Sequence, residues 1–188
     1  RMTAYIARAL GVDEAQALIV RERYFHQYGA TVSGLARHHG VDAHDFLDYV
    51  HDVDYSVLEP DPDLAALIAR LPGRKLVFTN GGGGHGQRAL ARLGLDGCIE
   101  RVFDLEDSGL APKPQTQAYQ RLIAACGLSP AHAVLVEDTL KNLEPAHAMG
   151  FSTVLVGPVH PGPGVGYVDH HAAEVKDFLR DWLSVHGG

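Results

Sequence analysis

Three groups of polar residues in this 188-residue sequence could bind and transfer a phosphate. The first is Thr79-Asn80, which ends an apolar run and is followed by the glycines Gly81 to Gly84. A hydroxyl, an amide and backbone N–H groups therefore lie where a predicted strand passes into a helix. Such a loop suits a phosphate because it offers donors and lets the backbone approach closely. A glycine-rich turn that binds no ligand is the alternative.

The other two groups are a lysine and a pair of carboxylates. Lys113 lies between Pro112 and Pro114, which hold the loop stiff. Glu137-Asp138 ends a second apolar run. Two carboxylates there are costly unless a cation or donors offset their charge, and Mg²⁺ takes oxygen ligands of this kind. A solvated lysine and an exposed acidic turn that caps the next helix are the alternatives.

These groups supply the parts that phosphoryl transfer requires, namely donors, a neutralising cation and metal ligands. Asn142 follows Asp138 by one helical turn, where its side chain could orient that carboxylate. In open α/β sheets, ligands bind at the carboxyl ends of the strands. We therefore expect Thr79, Lys113 and Asp138 to face one cleft.

The elements that must position these groups change in character near residue 60. Residues 1–60 show helical spacing only and predict four short helices, which suit a cap. From residue 61 strands and helices alternate, which predicts an α/β, Rossmann-like parallel sheet with right-handed crossovers. The predicted domains are a helical cap, 1–60, and a core, 61–188. The predicted strands are 75–79, 99–104, 133–137, 152–156 and a short one near Tyr167-Val168.

Composition narrows the class of protein and of partner. The net charge is −7, which argues against a surface for nucleic acid or for an anionic membrane. No apolar run approaches the length of a membrane span, and no signal peptide opens the sequence. The two cysteines, Cys98 and Cys126, form no disulfide framework, which favours a reducing, cytoplasmic location. The oligomeric state is open.

A dinucleotide-binding oxidoreductase is an alternative of a different class. Gly81-x-Gly83-x-x-Gly86 matches the dinucleotide fingerprint between a strand and a helix, and Asp104 follows the next predicted strand. Four consecutive glycines match many patterns by accident, however, and this interpretation leaves the lysine and the carboxylate pair unexplained. The phosphate loop of nucleotide triphosphatases is excluded because Gln87 stands where a lysine is required.

The order and spacing of these motifs resemble the haloacid dehalogenase superfamily of phosphohydrolases. The motifs are strand-Thr79-Asn80, Lys113-Pro114 and strand-Glu137-Asp138-x-x-x-Asn142. Within the superfamily the sequence resembles the pyrimidine 5′-nucleotidase branch, in its predicted cap and at the entry to its core. The segments that carry this second resemblance are 28–35, 49–52 and 71–75.

The resemblance implies a Mg²⁺-dependent phosphomonoester hydrolase that acts through an aspartyl-phosphate, on nucleoside (pyrimidine) 5′-monophosphates. The cap would close over the base, and Lys113 would be the catalytic residue present in the chain. The implied phosphate-binding residues are Thr79, Asn80, Gly81 and Lys113, the implied metal ligands are Asp138 and Glu137, and Asn142 supports them.

One motif of the resembled family is absent. Its nucleophile is the first aspartate of an Asp-x-Asp-x-Thr strand end upstream of the cap, and no such motif occurs in this sequence, which begins Arg1-Met2. We expect that the first core strand is missing and that the chain alone is inactive. That strand would lie between strands 75–79 and 133–137 and hold them roughly 9–10 Å apart. A phosphate-binding pseudoenzyme that lacks the nucleophile is the alternative.

Overall fold

The computed structural model describes residues 1–158, 160, 162 and 165–186. It is an α/β protein with parallel strands, and a group of four helices precedes the alternating strands and helices, as predicted. No helix in these described ranges is long and apolar enough to cross a membrane. The predicted loop 157–166 lies partly outside the described residues.

Four helices form the N-terminal region, and the ends of two are set by aspartate caps. The Asp13 carboxylate accepts a hydrogen bond from the Gln16 amide at 2.8 Å, and the Asp42 carboxylate accepts one from the Asp45 amide at 3.0 Å. These caps begin the second and fourth helices, as the sequence predicts. The helices are α1 (Met2–Leu10), α2 (Glu14–Tyr28), α3 (Thr31–His39) and α4 (Ala43–His51).

These helices bury an apolar cluster of their own. Tyr5 on α1 meets Phe46 on α4 edge to face, with ring centroids 5.1 Å apart, and its hydroxyl donates to Asp45 Oδ2 at 2.7 Å. Leu105, which belongs to the rest of the chain, is buried in the same cluster. The four helices therefore form a bundle that packs on the rest of the chain through Leu105. The predicted domain boundary at residue 60 stays a prediction.

The remaining elements alternate between strand and helix. A 3₁₀ turn at Tyr55–Val57 leads out of the bundle. The elements that follow are α5 (Pro62–Arg70), β1 (Leu76–Phe78), α6 (His85–Leu93), β2 (Arg101–Phe103), α7 (Thr116–Cys126), β3 (Val134–Glu137), α8 (Leu143–Ala148), β4 (Ser152–Val156), β5 (His170–Ala172) and α9 (Val175–His186).

The five strands of the described ranges lie in two parallel sheets. β1 pairs with β2, with Val77 opposite Val102. The second sheet has the order β3-β4-β5, with Val136 opposite Val154. No ladder joins β1 to β3 in the part of the chain that the structure describes. This is the arrangement expected if another strand belongs between them.

β1 is less buried than an apolar strand in the middle of a sheet. Leu76, Val77 and Phe78 are all half-buried, and Val134 at the start of β3 is 50% exposed. The prediction of a buried strand at 75–79 is therefore wrong for this chain. The physical reason is that, among the described strands, β1 pairs with β2 on one side and with none on the other.

Two further details differ from the sequence-based expectation. The last strand is β5, at His170–Ala172, and not at Tyr167-Val168, where Thr153 Oγ1 donates to Tyr167 O at 2.9 Å in place of a ladder bond. The helix predicted at 140–149 begins as a 3₁₀ turn and becomes α8 only at Leu143. Pro145 explains this because it has no N–H for an i−4 carbonyl.

Candidate functional site

Lys113 is the centre of the candidate site, and its side chain joins the carboxyl ends of β1 and β3. Its Nζ donates to Phe78 O at 2.8 Å and to Glu137 Oε2 at 2.5 Å. Both charged side chains are almost fully buried, with 9% and 6% of their surfaces exposed. An ammonium has three N–H groups, so one remains for a ligand. The predicted convergence of the two strand ends is therefore present.

Asn80 fixes the backbone that carries this lysine. Its Oδ1 accepts from Lys113 N at 2.7 Å, and its Nδ2 donates to Lys113 O at 3.0 Å. The amide thus pairs with the backbone of Lys113 in the way that a strand neighbour would. In this arrangement the Asn80 side chain positions Lys113, and its predicted role as a phosphate ligand stays a prediction.

Thr79 follows β1 directly, and its hydroxyl oxygen acts as a hydrogen-bond acceptor. Its backbone N–H continues the ladder by donating to Phe103 O at 3.0 Å, and its Oγ1 accepts from Gly81 N at 2.9 Å. Because the oxygen is used as an acceptor, the O–H group is left to donate to a ligand. The Gly81 amide, predicted to bind phosphate, is engaged by Thr79 here.

Glu137 and Asp138 are adjacent but lie in different surroundings. Glu137 is buried, with Oε2 against Lys113 and Oε1 accepting from the Asp138 and Thr139 amides at 3.2 and 3.0 Å. Asp138 is exposed, and Thr139 Oγ1 donates to it at 3.3 Å. Hydrogen bonding with the Glu137 side chain, helped by Thr139 and by the charge of Lys113, holds the pKa of Asp138 below its ordinary value. Asp138 is thus the carboxylate that stays free for a ligand.

Asn142 contributes a buried oxygen that nothing in the described chain satisfies. Its Oδ1 has no hydrogen-bond partner, although the residue is buried. Its backbone oxygen accepts from the Tyr119 hydroxyl at 2.5 Å, and burial raises the pKa of that phenol. An unpaired buried acceptor is costly, so it indicates a donor or cation that completes the site.

The donor set fits Mg²⁺ in chemistry but does not form a complete metal site. Asp138 offers a charged oxygen, and the unpaired amide oxygen of Asn142 is a second hard donor. Both Glu137 oxygens are already engaged. Within the described ranges no cluster of three or more His, Cys, Asp or Glu side chains is placed to hold a metal. Asp138 is therefore the residue that would hold the ion.

The loop Gly81–Gly84, called the Gly loop below, packs tightly against helix α4. A Cβ atom on Gly82 would lie 2.7 Å from Leu47 Cδ1, and one on Gly83 would lie 2.8 Å from Asp48 Oδ1 and 3.0 Å from the Asp48 amide nitrogen. Gly83 also has φ +57°. Close packing on the cap is thus a reason for these glycines that the sequence alone did not reveal.

Glu106 is a further residue that sequence reasoning missed. Its Oε2 accepts from Gly83 N at 2.7 Å, and its Oε1 contacts His44 Nδ1 on α4. Glu106 therefore ties the Gly loop to the helical bundle. With the Gly81 and Gly83 amides both engaged, the loop presents neither to a pyrophosphate, which argues against the dinucleotide interpretation.

Comparison with known proteins places the chain in a family. A family model described as haloacid dehalogenase-like hydrolase matches residues 2–150. The chain belongs to this hydrolase family. Phosphate metabolism protein 8 of Saccharomyces cerevisiae is 30% identical over 198 residues, which cover 94% of this chain and 61% of that protein. Enolase-phosphatase E1 of Frankia alni is 34% identical over 79 residues, which cover 42% of this chain and 30% of that protein.

Solved structures share the fold of this haloacid dehalogenase-like chain. L-2-haloacid dehalogenase from Xanthobacter autotrophicus has a TM-score of 0.60 at 20% identity, covering 90% of this chain and 82% of that one. A HAD phosphatase from Thermococcus onnurineus has a TM-score of 0.58 at 22% identity, covering 100% and 87%. At these identities the likeness concerns the fold, and the pyrimidine 5′-nucleotidase branch stays a prediction.

Proposed function

We propose that this protein is a Mg²⁺-dependent phosphomonoester hydrolase that acts on nucleoside 5′-monophosphates. The observation that carries the proposal is the position of Lys113, whose buried ammonium joins the carboxyl ends of β1 and β3 and keeps one N–H free. The Thr79 hydroxyl and Asp138 belong to the same strand ends. A cation, a hydroxyl donor and a carboxylate at one sheet edge suit a phosphoryl group better than an uncharged substrate.

Each residue of the candidate site has a separate role in this proposal. Lys113 and Thr79 bind the phosphoryl oxygens, and Lys113 stabilises the charge that develops on them during transfer. Glu137 and Asn80 hold Lys113 in place through its ammonium and its backbone. Asp138 would hold Mg²⁺, with Asn142 beside it, and a bound Mg²⁺ supplies further charge neutralisation at the phosphate.

The nucleophile of the proposed reaction lies outside these 188 residues. The resembled family uses an aspartate at the end of a strand, and no Asp-x-Asp-x-Thr motif is present in the sequence. In the described chain β1 and β3 do not pair with each other although Lys113 contacts the ends of both, which supports a place for that strand between them. Lys113, which reaches both strand ends, would then lie beside the nucleophile.

The names of the relatives, the sequence segments and the cysteines support the choice of substrate and location. The words phosphatase and phosphate in the names of the relatives favour a phosphate ester, and the segments that resemble the 5′-nucleotidase branch favour a nucleotide. The free cysteines Cys98 and Cys126 suit a cytoplasmic location.

A substrate panel tests the proposal. The full-length protein is incubated with Mg²⁺ and nucleoside 5′-monophosphates, sugar phosphates or glycerol phosphate, and released inorganic phosphate is measured. We expect the highest kcat/KM on nucleotides, and loss of turnover with a chelator. Phosphate binding without turnover on any of these esters would favour the pseudoenzyme, and preference for a sugar phosphate would refute the nucleotide assignment.

A further inference from the structure

Two histidines form a stacked contact between the helical bundle and the Gly loop. His51 is the last residue of α4, and His85 is the first residue of α6, directly after the loop. Their ring centroids are 4.6 Å apart, and the ring planes differ by 24°. Two positively charged imidazoles would repel each other at this distance. This repulsion disfavours the state in which both rings are charged, and the stack accommodates two neutral rings.

Hydrogen bonds determine which nitrogen of each ring carries the proton. The His51 Nδ1 lies 3.0 Å from Leu47 O, which can only accept, so Nδ1 is protonated. The Tyr55 hydroxyl donates its single hydrogen to His51 O at 3.0 Å. The His85 Nδ1, 2.7 Å from the same hydroxyl, must then donate to it. Both rings consequently leave Nε2 unprotonated.

The stack lies against the backbone that presents Thr79. A Cβ atom built on Gly81 would be 3.1 Å from His85 Cδ2, 3.3 Å from Thr79 Oγ1 and 3.8 Å from His51 Nε2. The same Gly81 donates its N–H to Thr79 Oγ1. Movement of either ring would therefore shift Gly81 and change the hydrogen bond from Gly81 N to Thr79 Oγ1, which orients the threonine hydroxyl.

Burial and the neighbouring positive charges favour the neutral form of both rings. Burial, followed by the neighbouring His85, lowers the pKa of His51, while burial and then Arg88 lower the pKa of His85. Arg88 donates to His51 O at 3.3 Å and approaches the Tyr55 ring. The Leu47 carbonyl and Glu106 act in the opposite sense on His51. The other ionisable groups near the stack are His44 and Asp48 on α4 and Asp52 directly after it.

We propose that His51 and His85 are positioning residues, which dock the cap on the Gly loop and thereby orient the Thr79 hydroxyl. This inference rests on the proposed function for the role of Thr79, but not for the docking itself. In the docked state both rings are neutral, whereas in an undocked state each ring has its ordinary basicity. The undocked state therefore binds more protons below about pH 6.5, so acid favours separation of the cap.

Nuclear magnetic resonance of the full-length protein tests the docking without reference to activity. Imidazole nitrogen shifts should show both rings protonated at Nδ1, and Tyr55→Phe should change the His85 shifts. In His85→Ala, the Gly82 and Gly83 amides should exchange with solvent about 3- to 10-fold faster, the size expected from losing one aromatic pair. His132→Ala, at an exposed histidine in the 3₁₀ turn Pro130–His132, is the matched control. Nε2-protonated rings or unchanged exchange would overturn the docking.

The pH profile of kcat/KM tests the link to Thr79. His85→Phe keeps a flat ring for stacking but cannot be protonated. We expect the loss of kcat/KM between about pH 7 and about pH 5 to be at least threefold smaller in His51→Phe/His85→Phe than in the wild type. An identical acid limb would refute the positioning role. If no phosphate ester is turned over, the proposed function fails while the magnetic resonance results still decide the docking.

Discussion

At the scale of single residues, Lys113 combines a structural and a catalytic task. Its ammonium is buried against Glu137, so Lys113→Met leaves an uncompensated carboxylate in the interior. We expect a loss of about 3–5 kcal/mol in the free energy of unfolding. In protein that remains folded, kcat should fall about 10²-fold or more, as for removal of one pre-organised donor. Urea denaturation and steady-state kinetics measure the two effects.

A double variant separates these tasks. Lys113→Met/Glu137→Gln removes both charges, so a large part of the lost stability should return, whereas kcat should not recover. Recovery of kcat together with stability would mean that Lys113 matters only for folding.

Asp138 lends itself to the opposite experiment because its side chain is exposed, beside Glu137 and with a hydrogen bond from Thr139 Oγ1 at 3.3 Å. Asp138→Asn should abolish Mg²⁺-dependent turnover and change the free energy of unfolding by less than about 0.5 kcal/mol. Asp96→Asn, at another exposed aspartate, serves as the control and should do neither. Calorimetric titration with Mg²⁺ and activity assays measure the result. Wild-type turnover in Asp138→Asn would remove this residue from the site.

The sequence predicts that the ends of β1 and β3 converge, which the Lys113 contacts confirm, but not how the tasks are divided among the residues there. Thr79, Lys113 and Asp138 follow from the rule that parallel strand ends share one edge. The pairing of Glu137 with Lys113 could not be derived, because either adjacent carboxylate could have turned inward. The His51–His85 stack was equally hidden, since it joins α4 to the Gly loop across 34 positions of sequence.

At the scale of elements, the Gly loop is held to α4 by close packing, and a methyl group tests this. Gly83→Ala would place Cβ against Asp48 and force a non-glycine residue into φ +57°. We expect a loss of about 1–3 kcal/mol in the free energy of unfolding and faster amide exchange in the loop. Gly97→Ala is the control because a Cβ there meets no atom within 4 Å. Equal effects of the two substitutions would show that the packing is unimportant.

Elements with clear caps and periodicity were predictable, whereas those set by tertiary contacts were not. The aspartates before α2 and α4 and the proline at the start of α5 mark helix starts that the structure confirms. β5 was placed too early because its position depends on pairing with β4, which leaves little local signal. The half-burial of β1 depends on which strands pair with it, and local sequence does not show that pairing.

At the scale of the whole molecule, β1 and β3 each keep an edge with no strand partner in the described part of the chain, although Lys113 contacts the carboxyl ends of both. Such edges promote association. We predict that, in the natural protein, a further strand pairs with β1 and with β3. The 188-residue chain alone should expose the two strand edges and associate with other copies of itself. Size-exclusion chromatography with light scattering compares the two proteins. A monomeric 188-residue chain that is as stable as the natural protein would show that no strand is required there.

The central claim is that Thr79, Lys113 and Asp138 together receive a phosphoryl group. A crystal structure of the full-length protein with Mg²⁺ and orthovanadate, an analogue of that group, tests it most directly. We predict that vanadate lies within hydrogen-bond distance of the Thr79 hydroxyl and Lys113 Nζ. Mg²⁺ should be bound by Asp138, and an aspartate-bearing strand should lie between β1 and β3. Vanadate bound elsewhere, with Lys113 contacting only Phe78 and Glu137, would contradict it.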